Sequence, residues 1–399
     1  MNACIISFGS IESKSNGYFV RVCNIVEEVS RFYNKAVVLE FPDENIQRIQ
    51  KVKNVTYIRL HGNELTSNKL TNFFKKIITF DPLHNLKFQI FSFLQLWRYK
   101  NQISSADIVI IEGCLIPAAN IIAKLLRKKV MLDTHGVNKL LAKHFKKRRI
   151  LAYFLRTLFW DFLERVTMKL SDIVVAVSEK ERKFVINEYH VAQSKVFRVP
   201  NVVKLTKSTS RDDIVEALRK KLGLESKIVV SFIGDMRVVH NADAVEYIIN
   251  ELAPQVWGKR KDVVFLIIGK GKERFNCNLP NVFFTGFVDD SALYLGMSDI
   301  CIAPLRVGCG VKTKIMEYLI HGKPIVATFI GAEGLEPMIS NLDQNFVRIV
   351  SLNTFYETLI DAISNLHKLN AIKVQIDPQI FLERFRKKLS EVFYYAQKV

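Results

Sequence analysis

The sequence predicts an α/β protein that contains two doubly wound domains. Its 399 residues exceed what one ordinary hydrophobic core serves, which favours two domains. Short runs rich in β-branched residues alternate with amphipathic stretches, a pattern typical of parallel strands covered by helices on both faces. The alternation starts afresh after a polar segment, residues 204–213, so the domain boundary is expected there.

The first domain, residues 1–203, is expected to form a parallel sheet from five strand-like runs. A helical pattern over 18–34 separates the first run from the second. Longer, mostly helical stretches separate the others. In chain order the runs are ACIISFG, KAVVLEF, ADIVIIEG, KVMLDTHG and SDIVVAVS.

The second domain, residues 204–376, repeats this organisation. Helices are predicted over 241–257 and 291–297. The last segment, 377–399, contains one amphipathic helix over 378–397 that needs a surface to pack on. The strand-like runs of this domain are 227–234, 262–271, 281–286, 298–305 and 323–329.

Two stretches, residues 66–105 and 139–169, depart from the alternation because they mix Phe and Trp with Lys and Arg. A basic amphipathic helix with aromatic residues on its other face can lie in a membrane interface. The alternative is a core-facing helix whose basic side is solvated. The sequence leaves both interpretations open.

The composition describes a soluble globular chain with an anionic partner. It is 49% hydrophobic and 24% charged. The formal net charge is +19 and the pI is near 9.6, which favours nucleic acid, a lipid surface or phosphorylated small molecules as partners. The N-terminus has no basic signal region, and Glu112 and Pro117 interrupt the most apolar stretch, so a cytoplasmic protein is predicted.

The cysteines and histidines predict neither a metal site nor a disulfide framework. The six cysteines form no CxxC pair. The histidines share no common spacing, and no Asp-x-Asp motif occurs. We therefore expect no catalytic metal.

One stretch, PLRVGCGVKTKIMEYLIHGKPIVAT at 304–328, combines the residue types of a phosphate site. In parallel sheets, ligands bind beyond the carboxyl ends of the strands, where helix N-termini present free amides. Gly308 and Gly310 would let the backbone approach a phosphate, and Lys314 and Glu317 share one helix face. Lysine and carboxylate would together bind the phosphates and ribose of a nucleoside diphosphate. The alternative is an ordinary tight turn between strand and helix.

Further motifs occur in order around this stretch: GDMRVVHNADAVEYI, VVFLIIGKG, NVFFTGFVDD and GAEGL. In order and spacing they resemble the C-terminal domain of GT-B glycosyltransferases of the family-four type. The similarity is close over about 230–335 and looser over 1–203, through DTHG, VSEKE and VFRVPNVV. It implies two Rossmann-like domains facing a cleft, with the donor held by the second domain and the acceptor by the first. It also implies that the last helix crosses back to the first domain.

The resemblance implies roles for residues of the second domain. Glu317 would bind the donor ribose, and Lys314 would contact the phosphates beside Gly308 and Gly310. The sequence departs from the family at Cys309, where most members carry the first glutamate of an E-x7-E motif that touches the transferred sugar.

A second departure concerns the phosphate clamp. The usual Arg and Lys after the first strand of this domain fall near Asp235 and His240. Arg237 or Arg306 would complete the clamp, although Arg237 also suits a solvent-facing loop. In GAEGL, Glu333 and Gly334 are candidate contacts to the sugar and donor, with an ordinary helix N-terminus as the alternative.

Two features of the first domain match the family as well. Asn16 and Gly17 follow the first strand and resemble a flexible loop facing the donor phosphate and acceptor, although Asn-Gly is also a common turn. His135 matches a histidine near the sugar and the β-phosphate, and a core histidine is the alternative. Glu112 is a weaker acceptor-side candidate. His135, Lys314 and Arg237 are thus the predicted catalytic residues.

The resemblance implies transfer of a hexose, with retention, from a UDP- or GDP-sugar co-substrate and with no other cofactor. The expected acceptor is a glycan or polyprenyl-linked glycan of polysaccharide, cell-envelope or glycoprotein synthesis. The positive charge suits peripheral attachment to an anionic membrane, at its cytoplasmic face.

Two other functions stay open. One is a UDP-sugar epimerase of the same architecture. The other is a nucleic-acid-binding protein that uses KHFKKRR at 143–149. The second is disfavoured because the basic residues cluster on amphipathic helices and match no nucleic-acid-binding motif, so no nucleic-acid partner is predicted.

Overall fold

The protein divides into two compact units, which are described separately. In this computed structural model the described residues are 1–8, 17–41, 52–60, 82–114, 116–137, 139, 150–201, 212–308, 310–372, 374 and 376–398. Unit 1 comprises Met1–Val202 and Leu382–Val399, and unit 2 comprises Val203–Phe381. This division lies next to the boundary expected at 203–204, residues that are outside the described set.

Unit 1 is a seven-stranded parallel sheet in the order β3-β2-β1-β4-β5-β6-β7. Its central strands are fully buried, as expected of parallel strands covered on both faces. The strands are β1 Asn2–Phe8, β2 Lys35–Phe41, β3 Val55–Arg59, β4 Ile108–Glu112, β5 Lys129–Asp133, β6 Ile173–Ala176 and β7 Val196–Arg198.

The helices between the strands of unit 1 agree with the alternation that the sequence pattern predicted. They are α1 Gly17–Phe32, α2 Pro82–Arg98, α3 Lys100–Ser104, α4 Pro117–Leu125, α5 Ile150–Leu170 and α6 Glu179–Tyr189. Local chemistry fixes the start of α6, because the Ser178 hydroxyl accepts a hydrogen bond from the Glu181 amide, at 3.1 Å. The Glu181 carboxylate in turn accepts from the Val177 amide, so the amides of Val177 and Glu181 both have hydrogen-bond partners at the start of the helix.

Unit 2 is a six-stranded parallel sheet in the order β10-β9-β8-β11-β12-β13. The strands are β8 Ile228–Ile233, β9 Val263–Ile268, β10 Val282–Gly286, β11 Ile300–Ala303, β12 Ile325–Thr328 and β13 Val347–Val350. With the helices between its strands, each sheet confirms the predicted α/β, doubly wound fold class.

The helices of unit 2 differ from the prediction at one place. The stretch 241–257 forms two helices joined by a π-helical turn at Ile248–Leu252, because Pro254 has no amide hydrogen to donate and interrupts the regular bonding. The helices are α7 Asp212–Lys221, α8 Val239–Tyr247, α9 Ala253–Lys259, α10 Ser291–Gly296, α11 Thr313–Ile320, α12 Glu336–Ile339, α13 Phe355–Ser364 and α14 Leu366–Ala371.

The last helix, α15 Pro378–Lys398, belongs to unit 1 from Leu382 onward. Aromatic contacts fix it there, since the Phe393 ring centroid lies 5.2 Å from that of Phe32 and 5.5 Å from that of Tyr33. Arg386 also donates to Glu28 of α1 at 2.8 Å. The surface that this amphipathic helix needs is therefore in the first unit.

Two glycines bring the strand ends of unit 2 close together. Gly269 follows β9 with φ of +138°, and a Cβ there would lie 2.1 Å from the Gly234 carbonyl oxygen after β8. Gly331 follows β12, and a Cβ there would lie 2.4 Å from the Ala303 carbonyl oxygen at the end of β11. Both contacts require the absence of a side chain.

Candidate functional site

The loop between β11 and α11 forms the centre of the candidate site in unit 2. Gly308 and Gly310 have φ of +137° and +74°, which L-residues with side chains rarely adopt. The loop turns the chain from the end of β11 into the first turn of α11. The N-terminus of that helix therefore lies at the carboxyl edge of the sheet, where parallel sheets bind ligands.

Lys312 occupies the cap position of α11 and is buried. Its Nζ donates to the Gly310 carbonyl oxygen at 2.9 Å. A Cβ on Gly308 would lie 3.2 Å from the same Nζ, so the glycine leaves room for the ammonium group. The loop and Lys312 thus hold one positive charge against the glycine backbone.

Lys314 supplies a second buried ammonium group from the first turn of α11. Its Nζ donates to Asn241 Oδ1 at 2.7 Å and lies 3.8 Å from the centroid of the Phe232 ring. Desolvation lowers the pKa of Lys314 well below its usual value, the charge of Lys312 lowers it further, and Glu317 acts in the opposite direction. A lysine whose charged form is disfavoured this strongly is typical of a functional site.

Asn241 is positioned by the loop after β8. Its Nδ2 donates to the Asp235 carbonyl oxygen at 2.9 Å. A Cβ on Gly234 would lie 2.7 Å from Asn241 Cγ, so the glycine lets the amide pack flat on the backbone. The orientation of Lys314 therefore depends on the loop after β8, which positions Asn241, and on the loop that leads into α11.

Glu317 lies one turn after Lys314 on the same face of α11, as predicted. Its side chain is partly exposed. Even so, desolvation raises its pKa to about 7, and the nearby Lys314 limits the rise. A carboxylate here can accept hydrogen bonds from a ligand beside the ammonium groups.

His240 lies near Lys312 and Lys314 but adds no positive charge. Burial lowers its pKa to about 3, and Lys312 and Lys314 repel its protonated form. At neutral pH the imidazole is therefore neutral. Two buried lysine side chains and a helix N-terminus make this part of unit 2 suited to an anionic ligand.

The predicted residues of the GAEGL motif lie next to the glycine loop. Glu333 is buried, and one of its carboxylate oxygens accepts from the Gly310 amide at 3.2 Å. Gly334 has φ of +84°. Glu333 thus contacts the loop directly, although the prediction that it binds sugar is untested by this geometry.

Unit 1 contains a separate buried network at the carboxyl ends of its strands. His135 Nε2 lies 2.6 Å from Glu112 Oε2 and 3.1 Å from Asp133 Oδ2. Glu112 and Asp133 face each other across the β4–β5 pairing. His135 itself has φ of +54°, an uncommon left-handed conformation that directs the chain away at the end of β5.

Arg21 of α1 holds this network in place. Its Nε and Nη2 donate to the two oxygens of Asp133 at 2.6 and 2.7 Å, and Nη1 donates to the Val199 carbonyl oxygen at 3.0 Å. Burial alone would raise the pKa of Asp133, but Arg21 and then His135 lower it. Burial raises the pKa of Glu112 to about 7, although the hydrogen bond with His135 opposes the rise.

The polar atoms of Glu112, Asp133 and His135 lie within 4.8 Å of one another, a spacing that a metal ion could bridge. Arg21 already binds both oxygens of Asp133 and supplies positive charge at this place. The expectation that no catalytic metal is needed stays a prediction.

Two family models match the chain over most of its length. The model described as Glycosyltransferase Family 4 matches residues 55–207, and the model described as Glycosyl transferases group 1 matches residues 227–368. The chain belongs to the group 1, family 4 glycosyltransferases. It is accordingly a transferase, as the motifs predicted. No curated protein matches the sequence significantly.

Solved structures agree with this glycosyltransferase in fold. HepE of Anabaena, in complex with UDP, aligns over 98% of this chain and 100% of its own, with 14% identity and a TM-score of 0.63. WaaG, a glycosyltransferase involved in lipopolysaccharide biosynthesis, covers 96% of this chain and 94% of its own, with 14% identity and a TM-score of 0.65. A UDP-forming trehalose-phosphate synthase from Burkholderia xenovorans covers 100% and 99%, with 11% identity and a TM-score of 0.67.

The two candidate clamp arginines of the glycosyltransferase are engaged in different ways. Arg306 donates to both oxygens of Asp243 on α8, at 3.0 and 2.9 Å, and lies 5.6 Å from the Tyr247 ring centroid. Arg237 pairs with Asp235 at 2.6 Å but is 56% exposed. An exposed pair of this kind contributes little stability, less than the partly buried pair of Arg306 with Asp243.

Sequence reasoning did not identify Lys312, Asn241 or Arg21 as part of a site. Lys312 stands two residues before Lys314, and the presence of a second lysine so close to the glycine loop was the available signal. No sequence signal marked Arg21 or Asn241, because the residues that they contact, Asp133 and Lys314, are 112 and 73 residues away in the chain. Of the predicted residues, Asn16 and the departure at Cys309 lie outside the described residues, and Gly17 begins α1.

Proposed function

We propose that this glycosyltransferase transfers a hexose from a UDP- or GDP-sugar to a glycan or polyprenyl-linked glycan acceptor, with retention of anomeric configuration. The observation that carries the proposal is the pair of buried ammonium groups, Lys312 and Lys314, beside the glycine loop and the start of α11. UDP is favoured among the donors because HepE was crystallised with UDP and with UDP-glucose.

Donor binding would use the glycine loop and the N-terminal half of α11. The diphosphate lies against the two ammonium groups and the amides around Gly308 and Gly310, and Glu317 accepts from the ribose hydroxyls. When the bond between the sugar and the diphosphate breaks, negative charge develops on the leaving group. The fixed lysines and the helix N-terminus stabilise that charge without a metal cofactor.

His135 is the proposed catalytic residue of unit 1. Its Nε2 contacts Glu112 and Asp133, so the imidazole is held in one orientation. A histidine so held can hydrogen-bond a sugar hydroxyl or the departing phosphate. Among the described residues no side chain is an evident nucleophile, so we propose a same-face displacement assisted by the leaving phosphate.

The proposed setting is the cytoplasmic face of an anionic membrane, in polysaccharide, cell-envelope or glycoprotein glycan synthesis. The net charge of +19 supports attraction to such a surface. No helix in the described part of the chain has the length and apolar content needed to span a bilayer.

The deciding experiment replaces Lys314 with methionine. The donor is first identified by thermal protection with a panel of nucleotide sugars. We expect Lys314→Met to lose about 2–4 kcal/mol of transition-state stabilisation, the size found for one electrostatic donor. The measurement is the release of nucleoside diphosphate from that donor in the presence of extracted lipid-linked glycans.

Lys323→Met is the matched control. Lys323 is a partly buried lysine of the same unit that donates to the Gly296 carbonyl oxygen, away from the glycine loop. Its variant should turn over as the parent protein does. Undiminished turnover of Lys314→Met would contradict the assignment, and an isomerised nucleotide sugar formed without acceptor would indicate an epimerase.

A further inference from the structure

Three neighbouring helices of unit 1 expose apolar side chains on one surface. They are α2, α4 and α5, and together they line a groove of about 430 Å³. We call this surface the apolar face and define it by seven exposed side chains. These are Ile90, Leu94 and Trp97 of α2, Ile121 and Leu125 of α4, and Leu158 and Phe162 of α5.

The spacing of these residues shows a continuous stripe on each helix. Ile90, Leu94 and Trp97 follow an i, i+4, i+7 pattern, and the pairs on α4 and α5 are each four residues apart. Leu94, Leu125 and Phe162 are 58%, 61% and 61% exposed. A soluble protein rarely shows contiguous apolar surface of this kind unless it binds something there.

The opposite sides of the same helices are partly polar. Ser92 and Gln95 of α2 are buried, and so is Asn120 of α4, which donates to the Thr167 carbonyl oxygen. The chain could have exposed these polar groups and buried the apolar ones. Instead, large hydrocarbon side chains are exposed to water on these helices, which favours an apolar partner that covers them.

The charge along α2 and α4 points to an anionic partner. From 82 to 106 the sequence has three basic residues and no acidic one, and from 113 to 132 it has four basic residues and no acidic one. Arg98, Lys100 and Arg127 are exposed near the ends of α2 and α4. Lys100 Nζ lies 5.2 Å from the Trp97 ring centroid, a pairing suited to a headgroup region.

We infer that the apolar face docks on an anionic phospholipid bilayer, with its hydrocarbon side chains inserted below the headgroups and its basic rim on the lipid phosphates. This inference rests on the proposed membrane association and specifies the surface that makes it. Apolar insertion and attraction to anionic lipid act together in such interfacial helices. The enzyme would then meet a lipid-linked acceptor at the surface that presents it.

The first test measures sedimentation with vesicles. The full-length protein should bind vesicles of phosphatidylglycerol and phosphatidylcholine, and bind pure phosphatidylcholine much more weakly. The double variant Leu94→Asn/Phe162→Asn should lower the partition coefficient by about tenfold or more, because it removes two inserted side chains. Ile380→Asn is the matched control, since Ile380 is 44% exposed on α15 and should leave binding unchanged.

The second test keeps the protein close to its native sequence. Lipids with brominated acyl chains quench tryptophan fluorescence only from within the bilayer, so they should quench Trp97. This quenching should fall strongly in Trp97→Phe, where only the buried Trp160 of α5 remains near the apolar face. It should persist in Trp257→Phe, whose replaced side chain belongs to unit 2. The result does not depend on the folding of the double variant.

Several outcomes would overturn the inference. They are absence of binding to anionic vesicles, equal binding by the double variant, and quenching that Trp97→Phe leaves undiminished. A dimer that the double variant dissociates, without vesicle binding, would instead assign the face to a second copy of this chain. Donor protection against thermal unfolding, measured without vesicles, tests the transferase site independently, so the two proposals can fail separately.

Discussion

Burial disfavours the charged form of Lys314, and Glu317 responds to the same environment. The pKa of the lysine is lowered and that of the carboxyl group is raised to about 7, in both cases because protein replaces water around the charge. A bound diphosphate would restore a favourable partner for the ammonium group. At the residue scale, desolvation of Lys314 costs free energy when the protein folds, and a bound diphosphate would compensate part of that cost.

We predict that donor affinity rises with pH through about 7. The ionised Glu317 accepts hydrogen bonds from ribose hydroxyls better than the protonated acid does. Since its pKa is about 7, the ionised fraction and hence the affinity should increase by about tenfold at most from pH 6 to pH 8. Titration calorimetry with the donor nucleotide sugar, whose bridging diphosphate stays ionised over this range, measures the effect.

Glu317→Gln provides the control for this pH dependence. The amide does not titrate, so the rise in affinity over this range should be absent from the variant. The raised pKa also means that Glu317 favours folding at low pH, and this contribution is lost as pH rises from its unfolded pKa through about 7. A parent protein with flat affinity, or a variant that keeps the slope, would refute the assignment of Glu317.

At the scale of elements, one arginine joins parts of unit 1 that are distant in the chain. Arg21 lies on α1, Asp133 ends β5, and Val199 follows β7. Arg21 and Asp133 are 1% and 0% exposed, so each charge depends on the other for compensation. The same contacts orient His135 through Asp133, which makes Arg21 a positioning residue for the proposed catalytic histidine.

Arg21→Met should lower the free energy of unfolding of unit 1 by about 3–5 kcal/mol, because it leaves a buried carboxylate uncompensated. Urea denaturation measures the loss. Asp133 has a lowered pKa, so the pair stabilises the fold above about pH 4 and loses this contribution as pH falls further. The effect of the substitution should therefore shrink in acid.

Two further variants check this interpretation. Arg21→Met/Asp133→Asn should recover part of the lost stability, since it removes the uncompensated charge. Arg31→Met breaks a pair with Glu28 in which the arginine is 54% exposed, and should change stability by less than about 1 kcal/mol. Equal losses in all three proteins would show that the Arg21–Asp133 pair has no special role.

At the scale of the whole molecule, unit 1 is assembled from both ends of the chain. Phe385, Leu389, Val392 and Phe393 of α15 are at most 1% exposed, and the helix contacts α1. Burial of each such side chain contributes about 1.5–3 kcal/mol. The sum is comparable with the total stability of about 5–15 kcal/mol typical of a domain.

Deletion of residues 382–399 should therefore unfold unit 1 or lower its transition temperature strongly, while unit 2 keeps its donor site. Differential scanning calorimetry with and without the donor measures both effects. In the truncated protein, the donor should still raise the transition of unit 2. An unchanged thermal profile, or loss of donor protection, would contradict the independence of the two sites.

The sequence by itself determined the two sheets, because their central strands are continuous apolar runs whose pattern is local. It did not predict β3, β7 or β13. These strands are short, lie near or at sheet edges and are only partly buried, so their hydrophobic signal is weak. It also determined the glycine loop, Lys314 and Glu317, which lie within ten residues of one another.

Only the tertiary structure decided which distant residues meet. Strand pairing placed Glu112 opposite Asp133, and loop packing brought Asn241 to Lys314. It also decided which side of α2, α4 and α5 faces outward, since periodicity defines two sides of a helix but does not say which is buried. The apolar face became visible because the sheet and the neighbouring helices cover the other sides of these three helices, where Leu96, Ile122 and Met168 are buried.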